Sequence, residues 1–279
     1  MTADDLKAWI GRTETLHDQV TPAPVRMLRA TLDLPPDPAP AELPPLWHWL
    51  YFLPSARRSE LGPDGHPRRG GFLPPVPLPR RMWAGGQLEF FHPLRLGDAI
   101  ERVSTIDDVA LKSGRSGALC FVRVRHEIHS PRGLALREFH DIVYRPDPVP
   151  GAAVAAGEPA PQGQWSERVV PDDVLLFRYS ALTFNGHRIH YDRKYVTGVE
   201  GYPGLVVHGP LLATLLAGLG GRQFAGRQAS SFVFRALKPV FDLHPFDICG
   251  RPDGQAAADL WVRDHEGHKT MAARLELRA

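Results

Sequence analysis

The chain has 279 residues, 43% of them hydrophobic, and its 33 basic and 31 acidic side chains leave a net charge of only +2. That length favours two domains over one, and the balanced charge leaves no electrostatic footprint for nucleic acid or an acidic membrane surface. Five of the basic residues are lysine and the rest arginine, a bias that suits planar, bidentate contacts to a small ligand bearing phosphate or carboxylate.

The N-terminus, MTADDLKAWIGR, is acidic and amphipathic, and no apolar run approaches the ~18 residues of a membrane span. A soluble cytoplasmic protein is expected. Residues 4–10 predict a short helix with Leu6, Trp9 and Ile10 on one side, and Pro22 to Leu32 predicts a second with proline at its start. From Pro35 to Pro79 proline and glycine dominate, interrupted by Trp47, Trp49, Tyr51 and Phe52. So many large rings argue for an irregular excursion packed over the fold, not a disordered tail.

Between Gln87 and Arg145 the pattern is that of strands. Val122, Val124, His126 and Ile128 alternate with Arg123, Arg125, Glu127 and His129, the period of two expected of a half-buried strand. Turns at 113–117 and 130–133 bound it, which suggests an antiparallel meander. Residues 147–166, rich in Pro, Ala and Gly, read as a linker between an N-terminal domain (1–146) and a C-terminal domain (167–279). Cys120 and Cys249 match no metal knuckle or redox pair and are expected to stay reduced in the core.

In the second half, Pro171–Thr183 and Val207–Gly220 predict helices. The latter, with Val207, Leu211, Leu212, Leu215, Leu216 and Leu219, should be buried on most sides. Strands follow at 230–240, around Ile248, at 258–264 and at 269–278. The segments LEFFHPLRLGDAI (88–100) and FRALKPVFDLHPFDI (234–248) share an order: aromatic strand, proline, turn, aspartate, next strand. This points to a duplicated α+β unit, with one buried helix across the sheet of each copy.

The stretch from Asn185 to Leu211 concentrates the chemistry. It holds Asn185, His187, His190, Asp192 and His208 ahead of the Gly209-Pro210 helix start. Proline suits the first helical position, and the glycine before it lets a ligand approach free N–H groups at the positive end of the helix. An imidazole near its ordinary pKa of about 6.5 can accept and return a proton, which makes His190 an acid/base candidate. Each histidine has a structural alternative as a hydrogen-bonded core residue. Asn185 beside Gly186 also suits a turn held by its own side chain, and Asp192 reads as a local cap or ion-pair partner. His187, His190, Asp192 and His208 satisfy donor requirements for a metal, but no metal is expected.

FNGHRIHYD, EGYPGLVVHGPL, PPLWHWLYF (44–52), DGHPRRGGFLP (64–74) and RRMWAGG (80–86) together resemble the MaoC-like acyl-thioester hydratases and dehydratases, in the branch of mesaconyl-C4-CoA hydratase and itaconyl-CoA hydratase. The resemblance covers nearly the whole chain. It implies a double hot-dog fold: two tandem antiparallel sheets, each wrapped on a central helix, with the catalytic loop in the second half and the N-terminal half shaping the acyl pocket. It also implies hydration of a short branched enoyl-CoA, mesaconyl-C4-CoA or itaconyl-CoA, to citramalyl-CoA, without a cofactor, and leaves room for a homodimer.

In that family an aspartate precedes the catalytic histidine by five residues. Here the histidine matches His190 and the aspartate's place holds Asn185, which can orient a water but not accept its proton. Gly209 becomes the expected oxyanion donor. His187, His208, Arg178 and Arg81 are substrate-binding candidates, and Arg68, Arg69, Arg80 and Arg188 are further cations near the pocket. Alternative readings are a 3-hydroxyacyl-thioester dehydratase acting on fatty acyl chains, a non-catalytic acyl-CoA binder motivated by Asn185, and a thioesterase of the same fold.

Overall fold

The computed structural model describes residues 3–35, 41–114, 117–147 and 157–278. Helix α1 (Ala3–Lys7), strand β1 (Thr13–Gln19) and helix α2 (Pro22–Thr31) are followed by the Pro-rich excursion, which contains two 3-10 turns, Trp47–Leu50 and Arg58–Glu60. Then come β2 (Arg80–Phe90), β3 (Ala99–Gly114), β4 (Gly117–Ser130) and β5 (Gly133–Arg145). The second half runs β6 (Trp165–Val169), α3 (Asp173–Leu182), a 3-10 turn (Arg188–His190), α4 (Arg193–Gly198) and α5 (Gly209–Gln223). Strands β7 (Ala229–Ala236), β8 (Phe246–Pro252), β9 (Ala257–Arg263) and β10 (Lys269–Leu277) close it.

All ten strands belong to one antiparallel sheet ordered β1-β3-β4-β5-β2-β7-β10-β9-β8-β6. The second five repeat the first five in mirrored order, as the duplication predicts. The halves join where β2 pairs with β7, with Gln87 opposite Val233 at the middle of the shared register. The backbones approach closely there: a Cβ on Gly85 would lie 2.5 Å from the Phe234 carbonyl oxygen.

Helix α5 is buried on nearly every side, with Leu211, Ala213 and Leu216 fully inaccessible. It packs on β7, β8, β9 and β10. The matching central helix expected across the N-terminal sheet is absent from the described residues. In its stead the excursion inserts Trp47, Leu50, Tyr51 and Phe52 into the main core, and Val76, with Phe72, Leu73 and Leu78 against it, into a smaller one around Val122 and Tyr144. A segment this rich in proline cannot supply the N–H groups of a long helix, so it covers the sheet with rings instead.

The edge strands β1 and β6 escaped the sequence reading. TETLHDQ is exposed along most of its length and WSERV is only five residues long, so neither shows the half-buried alternation on which such a reading depends. The reading of residues 147–166 as a linker falls partly outside the described residues, at 148–156. Beyond them, Pro159 bridges His268 and the Lys269 amide donates to the Glu158 carbonyl, so the later part is already tied to the C-terminal half. Cys120 and Cys249 are buried free thiols, and no helix among the described residues is long and apolar enough to cross a membrane.

A buried polar cluster holds the excursion on the N-terminal sheet. His48 Nε2 lies 3.0 Å from Glu138 Oε2 and Trp49 Nε1 donates to the same carboxylate at 3.1 Å. Burial alone would raise the Glu138 carboxyl, but the hydrogen bond to His48 and the charges of His48, His126 and His140 hold it down at about 2. Removing one member leaves the other buried and unpaired. Glu138→Ala is therefore expected to cost about 3–5 kcal/mol, checked by denaturant unfolding; a loss under ~1 kcal/mol would place the pair at the surface in energetic terms.

Candidate active site

The loop that follows α3 is built from local hydrogen bonds. Asp172 caps α3 by accepting from the Leu175 amide at 2.8 Å, and the helix ends with the Asn185 amide donating to the Ser180 carbonyl. Asn185 Oδ1 then accepts from the His187 amide at 3.0 Å. That is the self-satisfied turn open to an Asn-Gly pair, and it engages one lone pair of the oxygen while leaving the side-chain NH2 to meet a ligand. Asp192 caps α4 through the Tyr195 amide and takes Arg188 Nη2 at 2.7 Å, the local role expected of it.

His190 is buried, with 7% of its surface exposed. Its Nδ1 lies 2.7 Å from the Val206 carbonyl oxygen, a partner that can only accept, so Nδ1 carries the proton and Nε2 presents a lone pair. Burial pushes the ring down to about 4, the Val206 carbonyl opposes this, and His66 adds to it. His190 is accordingly a neutral base at pH 7.

Its ring stacks on His208 with centroids 3.8 Å apart. His208 is fully buried, with Nε2 2.8 Å from Ser180 Oγ. It is therefore stacked against His190 and inaccessible from outside in this structure, where a substrate-binding place was expected for it. Since His208 is the N-cap of α5, the stacking sets His190 beside the helix tip. At that tip the Gly209 amide has no acceptor among the described residues, and the space where its Cβ would be is open.

His187 lies between two other imidazoles, 5.4 Å from His190 and 4.1 Å from His66. Burial first, then the charges of His66 and His190, take it down to about 2. His66 comes from the Pro-rich excursion and was not singled out from the sequence. Only its presence in DGHPRRGGFLP hinted at it. The excursion docks through the Arg188 amide donating to the Asp64 carbonyl at 2.9 Å and Arg188 Nη1 donating to the Pro63 carbonyl at 3.0 Å. Gly65, at φ +88°, is pressed so closely on Gly186 that a Cβ would collide with its carbonyl oxygen.

The arginines separate cleanly. Arg80 is buried between Asp147 and Glu200. Arg69 donates to the carbonyls of Val76, Leu78 and Pro79. Arg68 donates to the Leu61 carbonyl, and Arg188 is taken by Asp192 and the Tyr195 ring. Arg178 is exposed on α3 beside the exposed Phe177, on the outer surface and not in the cluster. Arg81 is half-buried, faces His66, His187 and the Tyr144 hydroxyl, and has no carboxylate partner among the described residues.

Two cavities flank the N-terminal sheet, and His190 lines neither. One of about 320 Å³ runs past Leu46, His48, His92 and Ala217, towards the other end of α5. One of about 110 Å³ lies between Phe72 and Leu73 of the excursion and Arg102, His126 and His140 of the sheet.

A sequence profile for hydroxyacyl-thioester dehydratase type 2 matches residues 46–242. The chain belongs to that family. The matched span takes in most of the excursion and the whole histidine loop. The chain is 49% identical, over 99% of both sequences, to mesaconyl-C4-CoA hydratase of Chloroflexus aurantiacus. It is 28% identical, over 89% of its length and 93% of the other, to the mitochondrial hydroxyacyl-thioester dehydratase type 2 of Schizosaccharomyces pombe. A MaoC-like dehydratase structure from Phytophthora capsici superposes on 100% of this chain and 98% of its own, at TM-score 0.72 and 13% identity. At that identity the likeness concerns the fold alone, and it is the double hot-dog expected.

The histidines also set a pH dependence of stability. His187, His190 and His208 all have folded pKa values below their ordinary one, so the unfolded chain binds protons that the native site refuses. Stability is full above about pH 6.5 and is lost as pH falls towards 4. The melting temperature is expected to drop steeply between pH 7 and pH 5, and a flat profile over that interval would contradict the site's burial.

Proposed function

We propose that this protein is an acyl-CoA hydratase that adds water reversibly to the C=C bond of a short branched enoyl-CoA bearing a second carboxylate, with mesaconyl-C4-CoA or itaconyl-CoA going to citramalyl-CoA. The observation that carries the reading is the placing of a neutral imidazole with one free lone pair, His190, beside an unpaired amide at a helix N-terminus, Gly209. The near-full-length identity of 49% to a mesaconyl-C4-CoA hydratase supports the choice of substrate.

Hydration needs water held and polarised at the β-carbon, a proton taken from it and one given to the α-carbon, and donors for the charge that grows on the thioester oxygen. His190 binds the water through Nε2, and it is the imidazole through which the sequence alone would route the proton. The Asn185 side-chain NH2 aims the water. The Gly209 amide, reinforced by the positive end of α5, receives the enolate oxygen.

Arg81 supports a dicarboxylyl acyl group over a fatty one, because it is a half-buried cation with no carboxylate partner among the described residues that faces the same histidines. Trp83 follows it on β2, packed against Trp49, His140 and Phe234. Those rings fill the space beside Arg81 on the sheet, which favours a short acyl group over a long one there.

Following loss of enoyl-thioester absorbance with mesaconyl-C4-CoA, itaconyl-CoA and crotonyl-CoA tests the reading. Turnover of a branched dicarboxylyl substrate is expected. His190→Ala should lower kcat by about 10²–10⁴-fold. Arg81→Met should lower kcat/KM for the dicarboxylyl thioester by roughly 10- to 100-fold while sparing crotonyl-CoA. Release of free thiol instead of loss of the double bond would make the protein a thioesterase, and binding without turnover of any substrate would make it an acyl-CoA carrier.

A further inference from the structure

If Asn185 stands where the family carries an aspartate, the site lacks a carboxylate to balance the positive charge formed when an imidazole takes the proton from water. His190 is poorly placed to carry that charge. Its partners are one carbonyl, a stacked neutral imidazole at 3.8 Å and His187 at 5.4 Å. The excursion brings a carboxylate to the same cluster. His66 Nδ1 lies 2.9 Å from Asp64 Oδ2, and Asp64 Oδ1 accepts from the His66 amide at 3.1 Å.

Because a carboxylate can only accept, His66 Nδ1 holds the proton and Nε2 is left as a free base. The side chains of His66 and Asp64 are 20% and 31% exposed, whereas His190 is 7% exposed and His208 not at all, so a substrate can reach His66. The pair is held against the loop by the Arg188 contacts and by the Gly65–Gly186 approach. Such a docked loop fixes the ring relative to His187 more firmly than a free one would. Around the dyad lie Arg69 and Arg81, which face His66, together with His187, and Tyr195, which faces Asp64.

We propose that Asp64 and His66 form the carboxylate-backed acid/base of this site, supplied by the N-terminal half in place of the acid missing at Asn185. The proposal rests on the hydratase reading above and sharpens His190's part in it to binding and aiming the water. As the water oxygen bonds to the β-carbon, one of its protons passes to His66 Nε2, and the resulting imidazolium is balanced by Asp64. The C=C electron pair moves onto the thioester as an enolate, received by the Gly209 amide. The α-carbon then takes the proton from His66 Nε2, the enolate electrons form the new C–H bond, and the imidazole is neutral again. No other reactant is consumed.

The test measures kcat and KM for mesaconyl-C4-CoA from pH 5 to 9 in the wild type and in His66→Gln, Asp64→Asn and Asp64→Glu. His66→Gln is expected to lose about 10²–10⁴-fold in kcat, the range for a positioned proton-transfer group, with KM within about threefold. Asp64→Asn is expected to lower kcat and to move the acid limb of kcat/KM to lower pH, because the imidazolium loses its counter-charge. Asp64→Glu, which restores the carboxylate, should recover part of the rate and most of the pH profile. The Asp64 pair also keeps the proposal testable should His66→Gln fail to fold.

A His66→Gln enzyme with kcat near that of the wild type and an unchanged pH profile would overturn the proposal while leaving the hydratase reading intact. Activity abolished by a chelator and restored by a divalent cation would overturn it too, since ligand atoms of Asp64, His66 and His187 lie within 4.8 Å of one another. A wild-type protein that hydrates none of the thioesters sinks the hydratase reading itself, and the dyad with it.

Discussion

The contact between Pro63–Gly65 and Gly186–Arg188 is the constraint on which the rest of the site depends. Two glycine backbones meet at a separation that admits no side chain, and a backbone amide and a guanidinium, both from Arg188, are satisfied by carbonyls of a segment more than 120 residues away. Neither segment is regular secondary structure over most of its length. The excursion is rich in proline and glycine, and the histidine loop contains only a single 3-10 turn between α3 and α4. Docked, each supplies the hydrogen-bond partners that the other lacks, which is the condition for irregular backbone to be ordered.

The duplicated sheet makes that contact geometrically available. Pairing β2 with β7 fuses the two halves into one surface, and with no central helix among the described residues of the N-terminal half there is room on its sheet for the excursion. The two features go together: a second long helix would occupy the space taken by Trp47, Tyr51 and Phe52, and compete with the excursion that reaches the histidine loop. Asymmetry between the copies is thus what gives the chain one elaborated site instead of two simple ones.

Electrostatics within the site favour neutral imidazoles. Burial and mutual repulsion push His187, His190 and His208 down together, so at neutral pH the cluster offers lone pairs and not protons. Charge enters from the N-terminal half, as the Asp64 carboxylate and the Arg81 guanidinium, which has no carboxylate partner among the described residues. The proposed dicarboxylyl thioester would complement that arrangement, with its distal carboxylate towards the arginine and its reacting end among uncharged bases.

Much of this was legible in the amino-acid order. The alternating strands, the buried helix after Gly209-Pro210, the internal duplication and the motif residues from Asn185 to Gly209 are all short-range patterns, and local periodicity and turn chemistry determine them. Asp192's capping role and the turn at Asn185 were likewise written locally. The tertiary structure alone decided which histidines are accessible and which are sealed behind them. Burial of His208 behind His190 depends on how α3 and α5 pack, and no spacing encodes that. It alone separated Arg81 from the other arginines, because pairing depends on distant acids such as Asp147 and Glu200. It alone brought Asp64 and His66 to the histidine loop, because a chain reversal through an irregular proline-rich segment leaves no periodic trace from which its destination could be read.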